Sequence, residues 1–153
     1  MANDKDFLLK NAVEVGGPTK VTLGTVTDNV QQTSYDIANA SYDSKSFSVA
    51  GQAAAAADGV HFKSDGTKMY AMSSGNNAVY QYSLSTAWDV STASYDSVSL
   101  SVSSQDTGNW RDIDFSHDGT TLYGLSGSGV AYQYDLSTAW DLSTASYASK
   151  SFD

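Results

Sequence analysis

The sequence predicts an all-β protein built from two copies of a four-stranded antiparallel unit. Three observations carry that expectation. Among 153 residues there are 10 Tyr, 12 Gly and a single Pro, Pro18, with abundant Ser, Thr and Val, a composition that favours pleated strands and turns over helices. Residues 41–93 realign on residues 94–145 with one deletion. Within each copy apolar and polar side chains alternate with the period of two that sends one set to one face of a strand.

The repeat fixes its own turns. Tyr42, Phe62, Asp65, Gly66 and Tyr70 recur 53 residues later as Tyr95, Phe115, Asp118, Gly119 and Tyr123. Tyr80, Tyr82 and Trp88 recur 52 residues later as Tyr132, Tyr134 and Trp140. The lost residue therefore falls where GNN at 75–77 meets GSG at 127–129. Length changes are tolerated best at an exposed hairpin tip, so the gap marks a turn.

Four strands are expected in each copy. The first carries Phe47 and Val49, matched by Leu100 and Val102. The second carries Val60 and Phe62, matched by Ile113 and Phe115, each pair spaced to share a face. SDGT at 64–67 and HDGT at 117–120 follow, where Asp-Gly supplies the positive backbone angles of a tight hairpin. The third strand reads KMYAM and TLYGL. In the fourth, Ala78, Tyr80, Tyr82 and Leu84 match Val130, Tyr132, Tyr134 and Leu136, with Gln81 and Gln133 on the other side.

Four antiparallel strands in roughly 50 residues is the size of a propeller blade of the kelch or WD40 kind. Fragments of the unit flank the two copies. TSYDIANASYDSKSF, around Tyr35 and Tyr42, carries the end of a fourth strand, and SYASKSF at 146–152 begins another first strand. Residues 30–153 thus read as two blade-like repeats with a partial unit at each end, and both partial units are expected to be unpaired. A closed propeller takes about four to eight blades, and stacked repeats need about three to bury a continuous core. Two copies therefore predict completion by self-association. A homotrimer with six blades is the leading arrangement, ahead of a four-blade dimer or a stack of sheets on a threefold axis.

Residues 1–29 stand outside the repeat. FLLKNAVEVGGPTKVTLGTV alternates weakly around the break at Gly16, Gly17 and Pro18, and reads as two short strands around a turn. Too small for a core of its own, this segment is expected to be an attachment or intertwining arm. Residues 1–10 carry only Phe7, Leu8 and Leu9 as a consecutive apolar run, too little for a signal-peptide core. No run approaches the roughly 18 apolar residues of a membrane span.

Seventeen acidic residues against eight basic ones give a net charge of -9, which disfavours nucleic acid and anionic lipid as partners. The absence of cysteine removes disulfides and thiolate metal sites. Asp112 and Asp114 project from one strand face, as a paired-carboxylate hydrolase would require. Neither is accompanied by a nucleophile triad, a phosphate-cradling glycine loop or a zinc-spaced histidine pair. No D-x-D-x-D-G calcium loop is present either, so no catalysis, cofactor or metal is expected. His61 aligns with Asp114 and His117 with Ser64, so the two histidines share no motif.

The candidate contact residues are aromatic. Trp88 and Trp140 occupy equivalent places beside Asp89 and Asp141, where packing of the blade loop is the expected role and sugar stacking the alternative. Trp110 has Ala57 as its counterpart and sits in DTGNWRD at 106–112. With Asn109 and Arg111 it forms the mixture enriched at interface hot spots, and an intersubunit contact is expected there ahead of glycan binding.

DGTKMY with VYQYSLSTAWDVSTASYDS, repeated as DGTTLY with YQYDLSTAWDLSTASYAS, resembles the propeller-like repeats of structural and tail-fibre proteins of tailed bacteriophages. The opening MANDKDFLLKNAVEVGG is similar to the start of such fibre proteins. LSTAWD is the specific part of the resemblance; DGTK is shared by many propellers. The resemblance implies a non-enzymatic component of the outer surface of a virion that oligomerises, commonly as a trimer. It further implies another virion protein held through the N-terminal arm, and a role in recognising the host, for instance a surface glycan, or in covering the particle. The chain is short for a fibre and shows no long shaft or separate tip, which fits a small fibre or a capsid decoration (cement) protein. A carbohydrate-binding propeller lectin is the alternative of another class.

Overall fold

A computed structural model describes residues 40–53 and 56–153. The arm expected at 1–29 and the strand end expected around Tyr35 lie outside the described residues. What is described is all-β: two four-stranded antiparallel sheets, with no α-helix among the described residues.

The first sheet runs β1 (Gly59–Phe62), β2 (Lys68–Ser73), β3 (Ala78–Leu84) and β4 (Ala93–Ser101). The second runs β5 (Trp110–Phe115), β6 (Thr121–Ser126), β7 (Ala131–Leu136) and β8 (Ala145–Phe152). Each is a meander in chain order. The Asp-Gly hairpins form where the sequence predicts them. Gly66 and Gly119 take φ of 72° and 73°, and the Asp65 and Asp118 carboxylates accept from the Thr67 and Thr120 amides at 3.0 and 3.1 Å. These turns join β1 to β2 and β5 to β6, in registers that place His61 opposite Tyr70 and Asp114 opposite Tyr123.

The sheets do not coincide with the sequence copies. The strand that opens the second copy closes the first sheet as β4, and the partial unit at 146–152 is paired as β8. This corrects the expectation that the C-terminal piece is unpaired. The cause is the connection after β3 and after β7, which is tied into a 3-10 turn at Val90–Thr92 and at Leu142–Thr144. Asp89 and Asp141 accept from the Ser91 and Ser143 amides at 3.1 and 3.0 Å, and Thr92 and Thr144 donate to the Asp89 and Asp141 carbonyls at 2.8 Å. A connection locked in this way returns the chain beside the strand it has just left.

Phe47 and Val49, expected on a strand, lie in a segment without strand structure. They pack instead on the first sheet beside Met69, Ala71, Tyr82 and Leu84. Their segment nevertheless holds the backbone of its counterparts. Ser44, Ser97 and Ser149 occupy equivalent positions and take φ of 63°, 60° and 57°, and in β4 and β8 this is where the register shifts against β3 and β7.

The two sheets share one core. On the first sheet one face carries Tyr70, Met72, Val79, Val98 and Leu100, and these pack on Ile113, Phe115, Leu122, Tyr134 and Leu136 of the second. The other face of the first sheet, with Met69, Ala71, Tyr82 and Leu84, forms a smaller cluster with Phe47 and Val49. The other face of the second sheet presents Tyr123 and Leu125 to solvent.

Candidate functional site

The most developed chemistry in the molecule is the joint between the two sheets. Tyr70 is fully buried, and its hydroxyl donates to the Trp140 carbonyl at 2.6 Å. Burial, reinforced by Asp96, Asp141 and Asp65, pushes the Tyr70 hydroxyl well above the ordinary phenol range, so it stays a donor. The Gln81 side-chain oxygen accepts from the Leu142 amide at 2.9 Å, and its nitrogen donates to Asp96 at 2.8 Å. Burial of Asp96 works to raise its pKa, but hydrogen bonds from Gln81, Ser83 and Lys68 outweigh it and hold the carboxyl below its ordinary value. Two side chains of the first sheet thus grip two backbone groups at the entry to the 3-10 turn of the second. Neither Tyr70 nor Gln81 stands out in the sequence; the repeated Gln at the centre of an aromatic strand is the signal that points to them.

His61 joins the same contact from β1. Its ring lies 5.1 Å from Phe115 and is stacked on Trp140 at 6.1 Å with an interplanar angle of 16°. Nδ1 is 3.1 Å from the Asp114 carboxylate. Burial lowers the His61 pKa and outweighs the opposing pull of Asp114 and Asp112, so the ring is neutral at pH 7 and the contact to Asp114 is a polar contact of a neutral imidazole. Asp112 and Asp114 are both exposed, as the sequence predicts for one strand face, and His61 is the group the fold brings to them.

The tryptophans separate into three environments. Trp140 is half-buried in the joint, its amide donating to Gly119 at 3.0 Å. Trp88 makes the same bond to Gly66 at 3.0 Å, yet remains 59% exposed because no second sheet covers it. Both rings lie over the turn glycine so closely that a Cβ at Gly66 or Gly119 would stand 2.5 or 2.2 Å from ring atoms. Both rings thus pack on their turn glycine, and only that of Trp88 also keeps a broad exposed surface.

Trp110 is a core residue, which corrects the expectation of a loop contact. It is fully buried, its indole nitrogen donates to the Asp106 carbonyl at 3.0 Å, and its ring lies 5.2 Å from Tyr132. A Cβ at Gly124 would stand 2.6 Å from that ring. In the first copy the same two positions hold Ala57 and Ala71, so the larger ring at Trp110 is matched by the loss of a methyl group at Gly124. Asn109 and Arg111 flank it and are exposed, leaving them as the surface part of that trio.

The faces away from the joint are the candidate interaction surfaces. One is the Tyr123 face of the second sheet, where Tyr123 and Leu125 are 45% and 43% exposed although their counterparts Tyr70 and Met72 are fully buried. The other is the Met69 face of the first sheet. There a groove of ≈ 400 Å³ is lined by Phe47, Val60, Phe62, Met69, Ala71 and Val90 among others. No protein-family model matches the chain, and no curated protein matches its sequence.

Proposed function

We propose that the protein is a non-enzymatic structural component of a bacteriophage particle, a trimeric fibre or appendage module on the virion surface that decorates the particle or serves host attachment. The observation that carries this reading is the apolar surface left on the outer side of each sheet, the groove beside exposed Val60 on the first and exposed Tyr123 and Leu125 on the second, on a molecule whose other two faces are packed together. Taken as blades, the two sheets fall short of the roughly four to eight that close a propeller, and three copies supply six. The resemblance of the LSTAWD repeats to phage fibre and structural proteins supports the virion setting. Residues 1–29 then serve as the arm that holds another virion protein, and no cofactor or catalytic role is assigned.

The reading predicts the chain in fixed stoichiometry in purified particles and a native mass of three chains. Particle imaging separates a fibre from a capsid decoration protein. Absence of the chain from purified particles defeats the proposal. The exposed ring of Trp88 favours a second reading, a carbohydrate-binding module with that ring as stacking platform. Glycan-array binding that disappears in Trp88→Ala would support it, and silence on the array removes it.

A further inference from the structure

We infer that a second copy of this chain docks through a repeat of the joint between the two sheets, the Tyr123 face of one copy seating on the Met69 face of another. The inference rests on the self-assembly part of the proposed function and is independent of the virion setting.

Both halves of the joint are present twice. Tyr123 and Gln133 are the counterparts of Tyr70 and Gln81; Trp88 and Val90 are the counterparts of Trp140 and Leu142. Within the chain Tyr70 donates to the Trp140 carbonyl and Gln81 accepts from the Leu142 amide. Among the described residues the Tyr123 hydroxyl, the Gln133 side-chain oxygen, the Trp88 carbonyl and the Val90 amide have no hydrogen-bond partner. The same two bonds are thus available between copies. The apolar parts correspond as well. Val60, Phe62, Met69 and Val90 line the groove on the Met69 face, and their counterparts Ile113, Phe115, Leu122 and Leu142 share one buried cluster with Tyr70 and Met72.

One place on the Met69 face is already filled from the same chain. At the joint, Leu100 is packed against the shared core, Val102 is buried in it, and Tyr134 donates to Gln105 at 2.8 Å. On the first sheet Phe47, Val49 and Gln52 hold the matching positions: the Phe47 ring meets Tyr82 at 5.4 Å, and Tyr82 donates to Gln52 at 3.3 Å. In a docked pair the Phe47 part of that place belongs to Phe152 of the incoming copy.

Residues 42–47 and 147–152 read YDSKSF and YASKSF, so one replaces the other with little change of surface. The incoming copy keeps β8, because β8 is laddered to β7 whereas residues 42–47 have no strand partner among the described residues. Exchange in the other direction is disfavoured electrostatically. Asp135 stands where Ser83 donates to Asp96, so Asp43 in the place of Ala148 would set two carboxylates together. Phe47 therefore acts as a placeholder. Phe152, 80% exposed in the single chain, takes its seat on Tyr82, and Lys150 takes over the bridge that Lys45 makes to Asp89 at 3.1 Å.

The repeat of the joint is incomplete: Trp110, buried in the shared core, has Ala57 as its counterpart on the Met69 face. Asp114 occupies the place of His61, and the stacking of that ring has no counterpart between copies. The joint between copies is accordingly weaker than the one within the chain.

Sedimentation equilibrium and native mass of the full chain test the inference, with circular dichroism verifying the fold of each variant. Val60→Arg blocks one face and Leu125→Arg the other, and each variant alone is monomeric. An equal mixture gives a heterodimer and nothing larger, because each partner retains the face the other lacks. Phe152→Ala weakens association of the natural chain about tenfold, and Phe47→Ala strengthens it by removing the placeholder. Tyr123→Phe weakens it roughly two- to tenfold. Four results overturn the inference: a natural chain monomeric at every concentration, association indifferent to either arginine, a mixture that stays monomeric, or Phe47→Ala and Phe152→Ala acting in the same direction. A chain that associates in this way but is missing from particles refutes the virion setting alone.

Discussion

At the scale of single residues, Trp110 and Gly124 behave as one unit. Trp110→Ala empties the largest buried side chain of the core and is expected to cost about 3–5 kcal/mol in chemical unfolding. Gly124→Ala drives a methyl group into the same ring and is expected to cost about 1–3 kcal/mol. Gly124→Ala made together with Trp110→Ala costs less than the sum of the two, since the methyl then enters the space the ring has left. His61 gives the fold a pH dependence of definite sign. Its folded pKa is depressed by burial, so between that value and about 6.5 the unfolded chain takes up the proton first. Stability is therefore full above about pH 6.5 and declines as the pH falls through that window. Melting followed from pH 7 to pH 5 should show the decline, and His61→Gln should flatten it. A second decline follows at lower pH, where Asp65 is held below the ordinary carboxylate range by the Lys63 ammonium and by Thr67, and Asp118 at about 2 by hydrogen bonds from Ser116 and Thr120.

At the scale of elements, alternation in the sequence identifies the strands of both sheets and the hairpin turns between them. It says which side chains share a face, and this is why Ile113 with Phe115 and Tyr82 with Leu84 emerge together. It does not say which neighbour a strand pairs with. That choice lies in the 3-10 turns, whose Asp and Thr side chains fold the chain back, and it moves the sheet boundaries away from the repeat boundaries. Asp89→Ala and Asp141→Ala remove the turn acceptors and are each expected to lower the melting temperature in thermal unfolding. Ser97 and Ser149 sit at positive φ inside paired strands, a conformation that a β-branched side chain opposes. Ser97→Val should lower the melting temperature and Ser97→Gly should not. The candidate site was legible in part. Trp88 and Trp140 stand out because they recur, whereas Trp110 was misleading because a lone aromatic in a polar loop looks like a contact residue. The methyl group missing at Gly124 was the clue to its burial.

At the scale of the whole molecule, the order of the sheets gives the protein a direction. The Tyr70 face of the first sheet meets the Leu122 face of the second, so the two faces left over are of unlike kind, as head-to-tail association requires. Variants that weaken the internal joint should act on unfolding and leave the outer faces intact. Tyr70→Phe, which removes only the hydrogen bond to the Trp140 carbonyl, is expected to cost about 1 kcal/mol in denaturant titration. The contrast among the three tryptophans also has an optical consequence. Trp110 is sealed and Trp140 partly covered, so the red edge of the intrinsic fluorescence belongs to Trp88, the one indole whose surroundings change when the first sheet is covered. The chain therefore carries a native reporter: a blue shift and loss of iodide quenching register occupation of that face without any label.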